Sequence, residues 1–171
     1  MNIFVTDESA RQSAINLDDK RVKHLSKEYL EIIAIYIHET RGEWVIPFPL
    51  WGSEERTDIA FLTSSPVVKW VQQDRVNLWW LYSHLWYLFE EYQFRFDEVN
   101  PIKHFLENIK PFIVEVNRKP KAFYNASYYK DLDTIDAYRK TLWMKWTELD
   151  KKKPVWTKRS MPAWFDKQKD V

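Results

Sequence analysis

The sequence predicts an all-α fold, a single compact domain of about four to six helices over residues 1–171. Two observations carry that expectation. Apolar residues recur at three- and four-residue spacing over long stretches, the signature of helices with one buried face. Only two glycines, Gly42 and Gly52, occur among 171 residues, too few for the many tight turns of an all-β chain. A short extended N-terminal segment and an irregular aromatic and basic C-terminal tail complete the predicted architecture.

Residues Asn2 to Thr6 are apolar and β-branched and read as an extended piece pinning the chain to its body. Asp7 is the expected cap of a short helix ending near Asn16, because its carboxylate can accept orphan backbone N–H bonds. The next helix is expected from about Asp18 to Glu39, with Val22, Leu25, Tyr29, Ile32, Ile33, Tyr36 and Ile37 on one face and Gly42 at its stop. From Gly42 to Thr63 no period holds; Pro47, Pro49 and Gly52 break the pattern, while Trp44, Phe48 and Trp51 tack a long loop to the surface. Ser65-Pro66 is a helix start of the cap-then-proline kind. The longest helix is expected to run from there to Phe96, apolar around so much of its circumference that it should be central. Asn100-Pro101 starts a short helix that Pro111 interrupts, Lys119 to Lys130 is irregular, and a last helix is expected from Asp133 to Lys152. Pro154 and Pro162 keep the tail from continuing as helix.

Composition excludes several classes of chemistry. With no cysteine there is no disulfide, thiolate zinc site or cysteine nucleophile. Scarce glycine rules out a P-loop or dinucleotide fingerprint, and no G-x-S-x-G signature is present. No apolar run approaches the ~20 residues that span a bilayer, so no membrane partner is expected. A cytoplasmic protein is expected, in the bacterial host if phage-encoded. His24, His38, His84 and His104 are dispersed, and His24 with Glu28 alone has a metal-pair spacing, so neither metal nor other cofactor is expected. Glu90-Glu91 reads as a solvated edge. The formal charge is +1, but Lys151, Lys152, Lys153, Lys158, Arg159, Lys167 and Lys169 crowd the tail, which suits phosphate contacts. Trp51, Trp156 and Trp164 fall outside helix core positions and are candidate stacking platforms.

The stretch Leu17 to Ile32 concentrates the reactive side chains. Arg21 and Glu28 lie two turns apart on one side of a helix, and His24 and Glu28 are four residues apart and adjacent. A carboxylate flanked by Lys20, Arg21, His24 and Lys27 suits work beside a phosphodiester; an exposed, salt-bridged helix face is the plain structural alternative.

This stretch resembles the first helix of the phage pyrimidine-dimer DNA glycosylase/AP-lyase (endonuclease V) family. There a D-Q-H triplet precedes an R-E pair, with the glutamate nine residues beyond the aspartate; here Asp19-Lys20-Arg21 and Lys27-Glu28 hold those places at the same spacing. Lys153-Pro154-Val155-Trp156-Thr157-Lys158 resembles the family's R-P-T-W-Y-K tail. The resemblance implies a DNA-repair enzyme in which Glu28 is the catalytic carboxylate and double-stranded DNA the partner. It places Arg21 and Lys27 on the DNA, with Lys20, His24, Trp156, Lys158, Arg159 and Trp164 as further candidates. It also implies an N-terminal α-amine that attacks C1′ of the damaged nucleotide, which here puts Met1 and Asn2 at the site; either the Met1 amine itself attacks or the lyase step has been lost. The chain departs from the family in two places. Met1-Asn2 stands where the family exposes a threonine amine, and Glu31 stands at a position that is basic in the family. Two alternatives stay open: a phage base-modifying enzyme on a glycosylase-like fold, and a non-enzymatic helical phage protein binding nucleic acid or a host protein. Oligomeric state is not legible from the sequence.

Overall fold

The computed structural model describes residues 3–47 and 63–166, and within them the chain is all-α with no strand. The helices are α1 (Ala10–Asn16), α2 (Asp19–Arg41), α3 (Pro66–Gln73), α4 (Arg75–Phe96), α5 (Phe105–Ile109) and α6 (Thr134–Met144). A 3-10 turn (Lys110–Phe112) follows α5, and a π-helical turn (Lys145–Leu149) extends α6. Met1, Asn2, Trp51, Lys167 and Lys169 lie outside the described residues.

The N-terminal residues Ile3, Phe4 and Val5 belong to no helix or strand and are buried, as their apolar character requires. The cap of α1 is Ser9, whose side chain accepts from Gln12 N, and not Asp7. Asp7 instead accepts from Ser9 N and so shapes the turn before the cap. Helix α2 ends at Gly42 with φ of 75°, a left-handed conformation that glycine adopts without steric cost.

The predicted helix from Ser65 to Phe96 is two helices, and α2, at 23 residues against 22 for α4, is the longest described. The break is Asp74, extended at φ −154° and ψ 138°. Its carboxylate caps α4 by accepting from Val76 N, and Asn77 Nδ2 donates to the Trp70 carbonyl freed by the break. The Val76 amide, together with the Arg118 guanidinium, holds the Asp74 carboxyl below its ordinary range. Apolar periodicity runs straight through such a break because Asp74 substitutes one side-chain bond for one helical bond. The last helix also differs from its expected span: α6 starts at the Asp133 cap, then widens to a π turn that ends before Asp150.

Helix α4 is central, packing against α1, α2 and α3. Val68, Leu78, Leu81, Leu85, Leu88 and Phe89 join Ile3, Val5, Leu25, Tyr29, Ile33 and Ile37 in one hydrophobic cluster. At the lower end of α4 lies Arg95, whose side chain is 0% exposed. Its guanidinium donates to the carbonyls of Ile15 (3.0 Å) and Leu17 (2.7 Å) and to the carboxylates of Glu91 (3.0 Å) and Asp19 (3.1 Å). Glu91, expected at a solvated edge, is thus buried; its second partner is Arg159, at 2.6 Å. Breaking one member of a buried charge network leaves the others uncompensated. Arg95→Met is expected to cost about 3–5 kcal/mol, read as a lowered urea midpoint; a loss below about 1 kcal/mol would show that the network is solvated.

Candidate functional site

The two segments that carry the family resemblance, some 130 residues apart in sequence, meet in space. Asp19 N donates to Val155 O at 2.8 Å, and Asp19 in return accepts from Thr157 N (3.1 Å) and Thr157 Oγ1 (2.6 Å). Trp156 Nε1 donates to Asn16 O at 3.1 Å. The tail from Val155 to Thr157 therefore lies across the first turn of α2. The N-terminal segment arrives at the same helix farther along: Phe4 N donates to Tyr29 Oη at 3.2 Å, one residue beyond Glu28. Helix α6 and its π turn lie alongside in the opposite sense. Phe4 packs on Tyr138, Arg139 Nε donates to Thr6 O, and Trp146 Nε1 donates to Asp18.

A groove of about 420 Å³ opens beside the start of α2, lined by Asp18, Asp19, Lys20, Lys23, His24, Asp150, Lys152, Lys153 and Val155. Its acids are already occupied. Asp18 accepts from Arg21 and Trp146, Asp19 from Arg95 and Thr157, and Asp150 from Lys20 and Arg21. Burial works against charge on Asp150, but Lys20 and Arg21 outweigh it and hold its carboxyl below the ordinary range. Lys23, Lys152 and Lys153 form no ion pair among the described residues, and all three are exposed with His24, so the rim presents net positive charge. Glu28 and Lys27, both half-buried, lie one turn farther along α2 from His24.

Several predicted site residues turn out to have other work. Arg21 is 8% exposed and paired with Asp18 (3.1 Å) and Asp150 (2.7 Å), so it holds the π turn to α2 and does not present a charge to phosphate. Arg159 is paired with Glu91, which raises its pKa further. Lys20 and Lys158 pair with Asp150 and Asp97, yet Lys20 and Lys158 remain 60% and 40% exposed, and such exposed pairs are weak enough to exchange. Trp156 and Trp164 are not open stacking platforms. They pack on Trp146 at centroid distances of 5.0 and 5.7 Å, the second pair stacked. Met1 and Asn2 lie outside the described residues, and the first described residue near α2 is Ile3. Glu31, noted for its reversed charge, is buried at 7% exposure.

The sequence does not single out the supports beneath Glu28. Tyr29 is buried, and its Oη accepts from Phe4 N and shares a hydrogen bond of 3.1 Å with His84 Nδ1. The other ring nitrogen of His84, Nε2, is buried without a partner among the described residues. Burial raises the Tyr29 pKa well above its usual value, with Glu28 and Tyr138 adding to the rise, and depresses that of His84 to about 3. The only clue in the sequence is that a histidine and a tyrosine occupy core positions, and neither position names its partner.

A second concavity of about 410 Å³ lies elsewhere on α4, between Trp79, Tyr82, Trp86 and Tyr87 on one side and Lys110, Ile113 and Glu115 on the other. No set of three or more histidine, aspartate and glutamate side chains among the described residues is placed to hold a metal ion. No described helix is long and apolar enough to cross a membrane. Comparison of the chain with protein families, curated proteins and solved structures gives no match.

The neutral His84 makes stability acid-sensitive. The unfolded histidine takes a proton below about pH 6.5, whereas the folded one resists until about pH 3. Stability contributed by the neutral ring is therefore complete above pH 6.5 and lost progressively between 6.5 and 3. His84→Gln should flatten the fall in melting temperature between pH 6.5 and 4 relative to the wild type; parallel curves would mean that His84 is solvated when folded.

Proposed function

We propose that this protein is a DNA glycosylase, with Glu28 as the carboxylate acting at the glycosidic bond of a damaged or modified base. The observation that carries the reading is the docking of the Val155–Thr157 tail on the start of α2, since it joins in space the two segments that resemble the endonuclease V family. Three further features support it. The acids of the groove are spent internally, leaving Lys23, His24, Lys152 and Lys153 to meet phosphates. Glu28 follows His24 by one turn, close enough for a backbone gripped in the groove to bring a sugar toward the carboxylate. The N-terminal segment is pinned at Tyr29.

In this reading Glu28 stabilises the positive charge that develops on the sugar as the base departs. A lyase step, if it accompanies base release, calls for an amine nucleophile, and an α-amine with a pKa near ~7.7–8.0 is substantially neutral at pH 7–8. The target nucleotide leaves the stack, at a cost of a few kcal/mol that is smallest at a damaged site. With Arg21 and Arg159 held internally, DNA binding rests on the lysines of the groove.

A second, non-enzymatic reading has one observation in its favour, the aromatic cleft around Trp79 and Trp86, which suits binding to a partner without any chemistry at Glu28. A base-modifying transferase would instead use the same groove and carboxylate, and nucleoside mass spectrometry of treated phage DNA separates it from repair.

Glu28→Gln is expected to slow base release about 10²–10⁴-fold while leaving duplex affinity and melting temperature nearly unchanged. Lys152→Ala with Lys153→Ala should lower the salt dependence of duplex binding by about two phosphate contacts. Full activity in Glu28→Gln, or no base release and no borohydride-trapped adduct on any damaged duplex, would overturn the glycosylase reading.

A further inference from the structure

A separate cavity of about 140 Å³ lies against the N-terminal segment, lined by Ile3, Phe4, Ser127, Tyr128, Tyr138, Thr141 and Lys145. Its wall is largely satisfied within the protein. Ser127 Oγ donates to Asn125 Oδ1 and accepts from Tyr129 N, Thr141 Oγ1 donates to Ala137 O, and Tyr138 Oη donates to Tyr124 O while accepting from Ala126 N. Lys145 is different. It is half-buried and forms no ion pair or side-chain hydrogen bond among the described residues.

Two features of the fold put that ammonium where it is. Lys145 is the first residue of the π turn, and π turns inside helices are concentrated at functional sites. A helical side chain leans over the turn preceding its own Cα, which carries Lys145 back over Thr141 and into the cavity. Beside it Tyr128 is 75% exposed, the most exposed of the large apolar side chains described. Lining the same cavity, its ring offers a planar face to anything held by the lysine.

We propose that this cavity is a nucleotide phosphate site, in which the Lys145 ammonium holds the phosphate and the Tyr128 ring stacks on the attached base. A half-buried positive charge with no ion-pair partner among the described residues is compensated when an anion enters, and a charge-assisted hydrogen bond to phosphate is about twice as strong as a neutral one. The volume admits one phosphate group and excludes a whole nucleotide, so the base stays at the mouth with Tyr128. The phosphate belongs either to a free nucleoside monophosphate or to a phosphodiester of DNA. The second source rests on the glycosylase reading; the anion site itself does not.

Inorganic phosphate titrated into the full chain, against chloride at equal ionic strength, tests the site directly. The wild type is expected to gain melting temperature with phosphate. Lys145→Met should weaken phosphate binding about tenfold, and Lys145→Arg should restore most of it. Tyr128→Ala should leave inorganic phosphate binding unchanged and weaken deoxynucleoside monophosphate binding. If the source is DNA, Lys145→Met lowers the salt slope of duplex binding by about one contact; if it is a free nucleotide, the slope is unchanged and the monophosphate affinity falls. Phosphate that stabilises no more than chloride, or equal binding by wild type and a folded Lys145→Met, would overturn the site. Base release assayed in parallel keeps the two readings apart. Phosphate binding without base release leaves the site standing, and base release without phosphate binding leaves only the glycosylase.

Discussion

Arg95 is the point on which the arrangement of the chain's ends depends. A guanidinium has five N–H donors and cannot shed its charge, so burying one demands acceptors on several sides. This one finds them in two backbone carbonyls at the junction between α1 and α2 and in the carboxylates of Asp19 and Glu91. Asp19 in turn holds Thr157, and Glu91 holds Arg159. One buried cation thereby sets the corner between the first two helices and, through its two acids, the seat of the C-terminal tail. Buried networks of this kind contribute less to net stability than an apolar substitute of similar shape would, and their larger effect is to make alternative packings costly.

The groove inherits its charge from that arrangement. Three aspartates line it beside four lysines, so composition alone would leave it close to neutral. Each aspartate is held by partners at its back, Asp18 by Trp146 and Arg21, Asp19 by Arg95 and Thr157, Asp150 by Lys20 and Arg21. What faces outward is the lysine rim. The same logic accounts for the tail tryptophans. Trp156 and Trp164 lie outside any helical core pattern, yet they complete an aromatic cluster with Trp146 and Phe165 that presses the tail onto the body.

Tyr29 gives the interior a second fixed point. Its hydroxyl joins the backbone of the N-terminal segment to His84 on the central helix, and both side chains are fully buried. A segment that enters no helix or sheet must find other partners for its amides. Phe4 finds Tyr29, Thr6 finds Ser13, and Arg139 takes the Thr6 carbonyl. The segment is thereby held between α2 and α6, against Tyr29 in one direction and the Lys145 cavity in the other.

Most helices were legible from the chain alone, because helical periodicity, the Ser65-Pro66 start and the Gly42 stop are local signals exchanged between residues a few positions apart. The central place of α4 was legible too, from apolar residues around its whole circumference. Glu28 and the lysines near it were visible as a charged helix face, which is as far as spacing reaches. Tertiary structure decided which charges remain free. Arg21 meets Asp150 across 129 residues, Arg159 meets Glu91 across 68, and Thr157 meets Asp19 across 138. No local pattern encodes such pairings, since an ion pair needs only two opposite charges and the fold chooses which two. The break at Asp74 belongs with them, for an aspartate within an apolar period shows its effect only once Asn77 and Arg118 are in place to satisfy what the break exposes.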